Sequence, residues 1–253
     1  MDTKITFEYG YYVDPLAFGD YPQIMKDLVT DDRLPTFTEE EKAMLIGTFD
    51  YIGVNYYYSR YIHETGVVGR DWGSDPRVAD SHTDMYGHVI GPSAASSWLT
   101  IYPEGLRGLL NWLDKRYSSP KIYIFENGVS VPGESQAPVE KAVHDQFRVD
   151  FYYNHTKAVI EAIYEDGVDV QAYFAWALID NFEWTNGLGT RFGMIYVDYK
   201  NNLTRHVKDS AYWYSQLIQN TTQPASCKQS VSLQLEFEDP AFEKEEKFLY
   251  MTD

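Results

Sequence analysis

Apolar residues along this chain fall alternately into helix-spaced blocks and short solid runs. Leu106, Leu109, Leu110 and Leu113 recur at helical steps after Pro103, which predicts a helix from Pro103 to near Tyr117, stopped by Pro120. Lys121-Ile-Tyr-Ile-Phe125 follows as a solid apolar run, the pattern of a strand buried on both faces. Phe147, Phe151, His155 and Val159 repeat at four-residue steps, predicting one long helix from about Lys141 to Glu165 that closes at Asp166-Gly167. Val168, Val170, Tyr173, Phe174 and Ala175 then read as another buried strand, and Asp50 to Asn55 as an earlier one. A last helix is expected over Asp209–Gln219, with Ala211, Tyr212, Tyr214, Leu217 and Ile218 as its apolar residues.

The first fifty residues are helical in pattern. Phe7, Tyr9, Tyr11, Tyr12, Leu16 and Phe18 read as the end of an amphipathic helix whose start is missing. A short helix fits Pro22 to Val29, with Met25, Leu28 and Val29 on one face. Thr38 with Glu41 forms a capping box for the next helix, whose Met44, Leu45 and Ile46 are expected to pack before Gly47 ends it. Residues 60–98 carry little periodicity, and a loop of that length in a compact domain is usually functional or mobile. The order of helices and short apolar strands predicts a parallel sheet covered by helices. Each strand runs into a polar and aromatic cluster at its C-terminal end: Asn55 and Tyr57, then Glu126 and Asn127, then Trp176 onward. Strand ends converging on one face are the geometry of a (β/α) barrel mouth, although three strands cannot close a barrel.

Residues 221–253 break the pattern. They are polar and acidic with scattered aromatics, which reads as a flexible acidic tail after a domain over 1–220. An edge-packed strand at Val231–Phe237 is the alternative.

Composition narrows the class. Hydrophobic content of 44% and aromatic content of 16% over 253 residues are those of a packed globular chain. A net charge of −17 argues against nucleic acid and anionic membrane surfaces as partners. Cys227 is the single cysteine, so no internal disulfide forms. No apolar run approaches the roughly 18 residues that span a bilayer, and no secretory signal opens the chain. Sequons at Asn154, Asn202 and Asn220 hint at a secretory route, with Asn154 expected on a helix. Neither a cofactor nor a metal is called for.

The candidate chemistry lies at the strand ends. Trp176, Asp180, Asn181, Glu183 and Trp184 crowd one loop. Carboxylates accept paired hydrogen bonds from neighbouring hydroxyls, and indoles cover the C–H faces of a pyranose, so this set suits a sugar. A core tryptophan beside a solvated acidic loop accounts for the same residues. Glu126 ends an apolar strand, with Asn127 and Gly128 leaving its mouth open; taken alone, it is also an ordinary strand-ending glutamate in water.

Several motifs together resemble the family 1 glycoside hydrolases, the retaining β-glucosidase and lactase type. They are Gly53-Val-Asn55-Tyr-Tyr57, Ser97-Trp98-Leu99, Tyr102-Pro-Glu-Gly-Leu106, Ile124-Phe-Glu126-Asn-Gly128, the span Trp176 to Trp184, Arg191-Phe-Gly193 and Val197-Asp-Tyr199. The resemblance covers roughly residues 7–218 and implies a (β/α)8 TIM barrel of which this chain supplies strands six to eight. It implies Glu126 as nucleophile, Tyr57 as a hydrogen-bond donor that stabilises its charge, and Asn55 on the same wall. It makes Trp176 a platform under the sugar, gives Glu183 two hydroxyls and Trp184 a hydroxyl contact, and has Phe192 close the pocket. The ligand implied is a β-glycoside, and Glu183 disfavours a 6-phosphorylated one. Three features depart from the family. The acid/base motif Asn-Glu-Pro occurs nowhere in the 253 residues, the Gln and His that hold the sugar from the first strands are absent, and Phe125 stands where the family usually has Thr. Beside an enzyme, the departures leave open an inactive relative that binds a sugar or a protein, or a truncated product that self-associates or docks with a missing N-terminal half.

Overall fold

The computed structural model describes residues 2–29, 33–64 and 78–221. The chain divides into a compact unit, Met1–Gln216, and a short C-terminal unit, Leu217–Asp253. The segment expected to be an acidic tail lies, from residue 222 on, outside the described residues.

The N-terminal helix runs on through a π-helical turn. α1 (Asp2–Ile5) passes through a π-helical turn at Thr6–Gly10 into α2 (Tyr11–Phe18). Asp14 on α2 is buried and accepts hydrogen bonds from Arg116 Nε at 2.9 Å and the Tyr117 hydroxyl at 2.8 Å. α3 (Gln23–Leu28) and α4 (Glu39–Leu45) follow. The capping box forms: Thr38 Oγ1 accepts from the Glu41 amide and Glu41 Oε2 from the Thr38 amide. The packing expected of this helix is partial: Leu45 is half-buried and Ile46 lies against Gly19 at the end of α2, but Met44 is 69% and Ile46 52% exposed.

Three parallel strands organise the unit. β1 (Ile52–Asn55), β4 (Ile122–Asn127) and β5 (Val170–Ala175) pair in the order β1-β4-β5, with Val54 opposite Ile124 and Ile124 opposite Tyr173. Their crossovers carry α5 (Pro103–Arg116) between β1 and β4, and α7 (Gln146–Tyr164) between β4 and β5. Both helices pack on one face of the sheet. Leu106, Leu109, Leu110 and Leu113 of α5, with Val159 and Ala162 of α7, bury Ile52, Val54, Ile122 and Ile124. The solid apolar run of β4 is therefore covered on one side only. Ile122 and Ile124 are fully buried, whereas Phe125 is 43% exposed on the opposite face, beside Phe174 of β5. Gly53 of β1 makes room for that phenyl ring, since a Cβ at residue 53 would lie 2.3 Å from it.

Two strand pairs escaped the pattern. β2 (Tyr61–Glu64) and β3 (Val78–Ser81) form an antiparallel pair inside the segment read as irregular, and β6 (Ile195–Asp198) pairs antiparallel with β7 (Thr204–Val207). The long helix is also cut. α6 (Val139–Ala142) ends before α7 begins, and the interruption lets Asp145 turn its carboxylate to the Ser210 amide at 2.9 Å. α8 (Asp209–Thr221) turns Trp213 inward, while Tyr212 and Ile218, expected on its apolar face, are exposed. Of the sequons, Asn154 stands on α7 with its amide donating to the Asp150 carbonyl, and Asn202 stands exposed on the β6–β7 turn. Among the described residues, no helix is long and apolar enough to cross a membrane.

Candidate active site

The C-terminal ends of β1, β4 and β5 lie side by side, and the register places Asn55 opposite Glu126 and Asn127 opposite Ala175. The Tyr57 hydroxyl donates to Glu126 Oε2 at 2.6 Å. The Tyr57 ring is held edge-on by Trp98 at 5.8 Å and Phe192 at 6.3 Å. Burial, followed by the bond to Glu126 and that carboxylate's charge, pushes the Tyr57 phenol far above its ordinary value, so it stays a donor. The neighbouring Tyr56 hydroxyl reaches instead to the Tyr102 carbonyl at 2.7 Å.

Asn127 ties the three strand ends together. It is fully buried, gives Nδ2 to the Tyr56 carbonyl at 2.7 Å and takes the Tyr173 hydroxyl on Oδ1 at 2.5 Å. Its own carbonyl accepts the Trp176 amide at 2.8 Å. Gly128 lies so close to β5's exit that a Cβ would fall 1.7 Å from the Trp176 carbonyl oxygen. The Trp176–Ala177 peptide bond is cis.

From there Trp176 Nε1 donates to Glu183 Oε1 at 3.1 Å. Burial raises the Glu183 carboxyl above its ordinary value, the Trp176 bond opposes that, and the charge of Glu126 raises it further. Two carboxylates thus face one region with different supports: Glu126 under a phenol, Glu183 under an indole. The structure brings Glu126, Tyr57, Trp176 and Glu183 into one connected set. Asn55 is exposed on the adjacent strand, and its side chain makes no hydrogen bond among the described residues. Trp184 stands apart, 84% exposed on a short 3-10 turn. Phe192 is buried, and its ring stands edge-on to Tyr57.

Asp180 is a correction. Read with the sugar-facing loop, it is buried and engaged by Arg191, Lys208 at 3.2 Å, the Gly193 amide at 3.0 Å and the Val197 amide at 3.2 Å. It belongs to a buried cluster with Glu134, Asp145 and Arg148 that the sequence reading missed. Its signal was present in Arg148, a cation one helical turn from Phe151 on a face otherwise apolar. Among the described residues, no group of three or more His, Cys, Asp or Glu side chains is placed to hold a metal.

Comparisons with known proteins identify the family. The profile of Glycosyl hydrolase family 1 matches residues 1–223. Beta-glucosidase 32 of Arabidopsis thaliana is 40% identical over 231 residues, covering 88% of this chain and 42% of its own length. Beta-glucosidase 4 of Oryza sativa subsp. japonica is 42% identical over 218 residues, covering 86% of this chain and 45% of its own. The crystal structure of a family 1 beta-glucosidase from Humicola insolens, solved with glucose, superimposes with a TM-score of 0.82 at 42% identity. That match covers 87% of this chain and 46% of the fungal one. The β-glucosidase of Trichoderma harzianum gives 0.81 at 42% identity. The chain spans less than half the length of these relatives, whose fold is the (β/α)8 barrel, and its three parallel strands are part of such a barrel. With a profile match over residues 1–223 and a TM-score of 0.82 to a solved family 1 beta-glucosidase at 42% identity, the chain belongs to glycosyl hydrolase family 1.

Proposed function

We propose that this chain is the nucleophile-bearing part of a retaining β-glucosidase. The observation that carries the reading is the 2.6 Å hydrogen bond from Tyr57 to Glu126 at the mouth of the sheet, with the Trp176–Glu183 pair alongside. In a retaining mechanism one carboxylate attacks the anomeric carbon while a second carboxyl, about 5–5.5 Å away, protonates the leaving oxygen. Glu126 is the attacking group. Tyr57 stabilises its charge before attack and gives up part of that bond as the glycosyl ester forms. Trp176 lies under the sugar and Glu183 takes its hydroxyls. Asn55 lines the wall beside Glu126, Trp184 meets the sugar once its turn is covered, and Phe192 acts by supporting Tyr57. A buried carboxylate at Glu183 disfavours a phosphate on the sugar, so the substrate is an unphosphorylated β-glycoside.

The acid/base carboxyl comes from another segment, since no Asn-Glu-Pro occurs in the sequence. Without it, general acid assistance of about 10²–10⁴-fold is lost. This favours a second reading for the chain by itself: a sugar- or protein-binding module without turnover. A fluorosugar with an acidic phenol as leaving group separates the readings, because it needs no proton at departure. The expected result is one covalent adduct per chain by intact mass, mapped to Glu126 and absent from Glu126→Gln. An adduct on another residue, or one that persists in Glu126→Gln, overturns the nucleophile assignment; glucose binding without any adduct favours the module.

A further inference from the structure

Six buried ionisable groups lie behind the site, and the mechanism above uses none of them. Arg148, Arg191 and Lys208 meet Glu134, Asp145 and Asp180, and the most exposed of the six is only 7% accessible. The charges balance. Glu134 belongs to the loop after β4, the strand that carries Glu126. Asp180, Arg191 and Gly193 belong to the loop after β5, which carries Trp176 and Glu183. Lys208 closes the gap between the loops. Its three ammonium protons meet three acceptors: Glu134 Oε1, Asp180 Oδ1 at 3.2 Å and the Gly193 carbonyl at 2.6 Å. Arg148 makes a second bridge, from Glu134 at 2.6 Å to the Arg191 carbonyl at 3.2 Å. Asp180 stands four residues after Trp176 and three before Glu183, and its two oxygens are filled by the contacts described above.

Buried ion pairs are a poor way to gain stability, since apolar replacements of similar volume are often neutral or better. Satisfied polar networks do define one arrangement of the groups around them. We propose that Lys208 and Asp180 are positioning residues, which hold the loop after β5 in one register against the loop after β4 and so keep the Trp176–Glu183 hydrogen bond beside Glu126. The inference rests on the sugar-site reading only for its consequence; the geometry it asserts is measurable without a sugar.

The experiment is the ¹⁵N-indole spectrum of the full chain, with the Trp176 signal assigned by Trp176→Phe. In the native chain the Trp176 indole proton carries a carboxylate-bonded shift and follows the titration of Glu183 as pH is lowered. Lys208→Met removes the bridge, and the charge-balanced pair Glu134→Gln with Lys208→Met removes it without leaving an uncompensated carboxylate at residue 134. Loss of the bonded shift and of its pH step in the balanced pair, with α-helical circular dichroism retained, is the expected result. Leu110→Ala, a core truncation remote from the network, destabilises the chain and leaves the indole signal in place. An unchanged Trp176 signal in the balanced pair overturns the inference, as does an equal loss in Leu110→Ala. Titration of the native chain with glucose tests the sugar-site reading separately: a Trp176 indole that ignores glucose sinks that reading, while the variants still decide the network's part.

Discussion

The two faces of the three-stranded sheet are built from the same strands and have opposite fates. On the outer face Val54, Ile122 and Ile124 are fully buried beneath α5 and α7. On the inner face Tyr51, Phe125 and Phe174 are each between 43% and 51% exposed, although they are larger and as apolar. Tyr51 and Tyr123 pack at 4.8 Å, and Phe125 lies 6.2 Å from Phe174, so the inner rings cover one another only in part. The outer face is completed by α5 and α7, which lie in the crossovers between the strands of the same chain. The inner face of a barrel is completed by strands from all around the ring, and this chain spans less than half of its relatives. Stability and self-association should therefore separate by face.

The largest effect belongs to the outer face. Ile124→Ala removes a fully buried side chain between the sheet and α5, and is expected to lower unfolding free energy by about 2–5 kcal/mol in denaturant titrations. A loss below ~1 kcal/mol would show that the helices are loosely docked.

Acid attacks the same layer. His155 on α7 is buried against Phe151 and Tyr56, and burial drops its imidazole from 6.5 to about 4. Its Nδ1 meets the Phe151 carbonyl at 2.8 Å, while Nε2 has no partner among the described residues. The unfolded chain binds this proton below about pH 6.5 and the folded chain only near pH 4. Stability is thus complete above pH 6.5 and falls as pH drops towards 4, by about 3 kcal/mol at most. His155→Leu is expected to flatten that window in pH-dependent melts.

The inner face predicts smaller changes in stability and a change in association. Phe125→Thr is expected to move the folding free energy by no more than about 0.5 kcal/mol. It should also reduce self-association in sedimentation velocity, because exposed aromatic surface and open strand edges drive chains together. Equal association of Phe125→Thr and the parent chain would remove the inner face as its cause. The finest test is a pairwise one. Gly53→Ala clashes with the Phe125 ring in the parent and loses that clash in Phe125→Thr, so the two changes should couple by about 0.5–3 kcal/mol.

Much of this division was legible in the sequence. The leucine spacing of α5, the apolar run of β4 and the Thr38 capping box all appear where local pattern placed them, because each depends on neighbours a few residues away. The misreadings arose where distant residues decide. Phe125 looked buried because a solid apolar run does not reveal which side lacks a cover. The break at Asp145 was hidden because its cause, Ser210, lies 65 residues on. β2, β3, β6 and β7 are four residues each and pair with one another outside the parallel sheet, so the alternation of strand and helix does not mark them. Glu126, Tyr57, Trp176 and Glu183, which the structure places in two hydrogen-bonded pairs, lie in motifs that the sequence already singles out. The buried cluster is not legible as a whole, because its six members come from separate stretches; Arg148, one helical turn from Phe151, is the one that carries a signal.

The Trp176 amide, bonded to the Asn127 carbonyl beneath Gly128, has a use as a clock. Its proton can trade with deuterium only when the ends of β4 and β5 part, because the acceptor is on one strand and the donor leaves the other. The rate at which residue 176 takes up deuterium therefore times the opening of the strand pair itself, and a ligand that bridges Glu126 and Glu183 should slow it, whatever its effect on the rest of the chain.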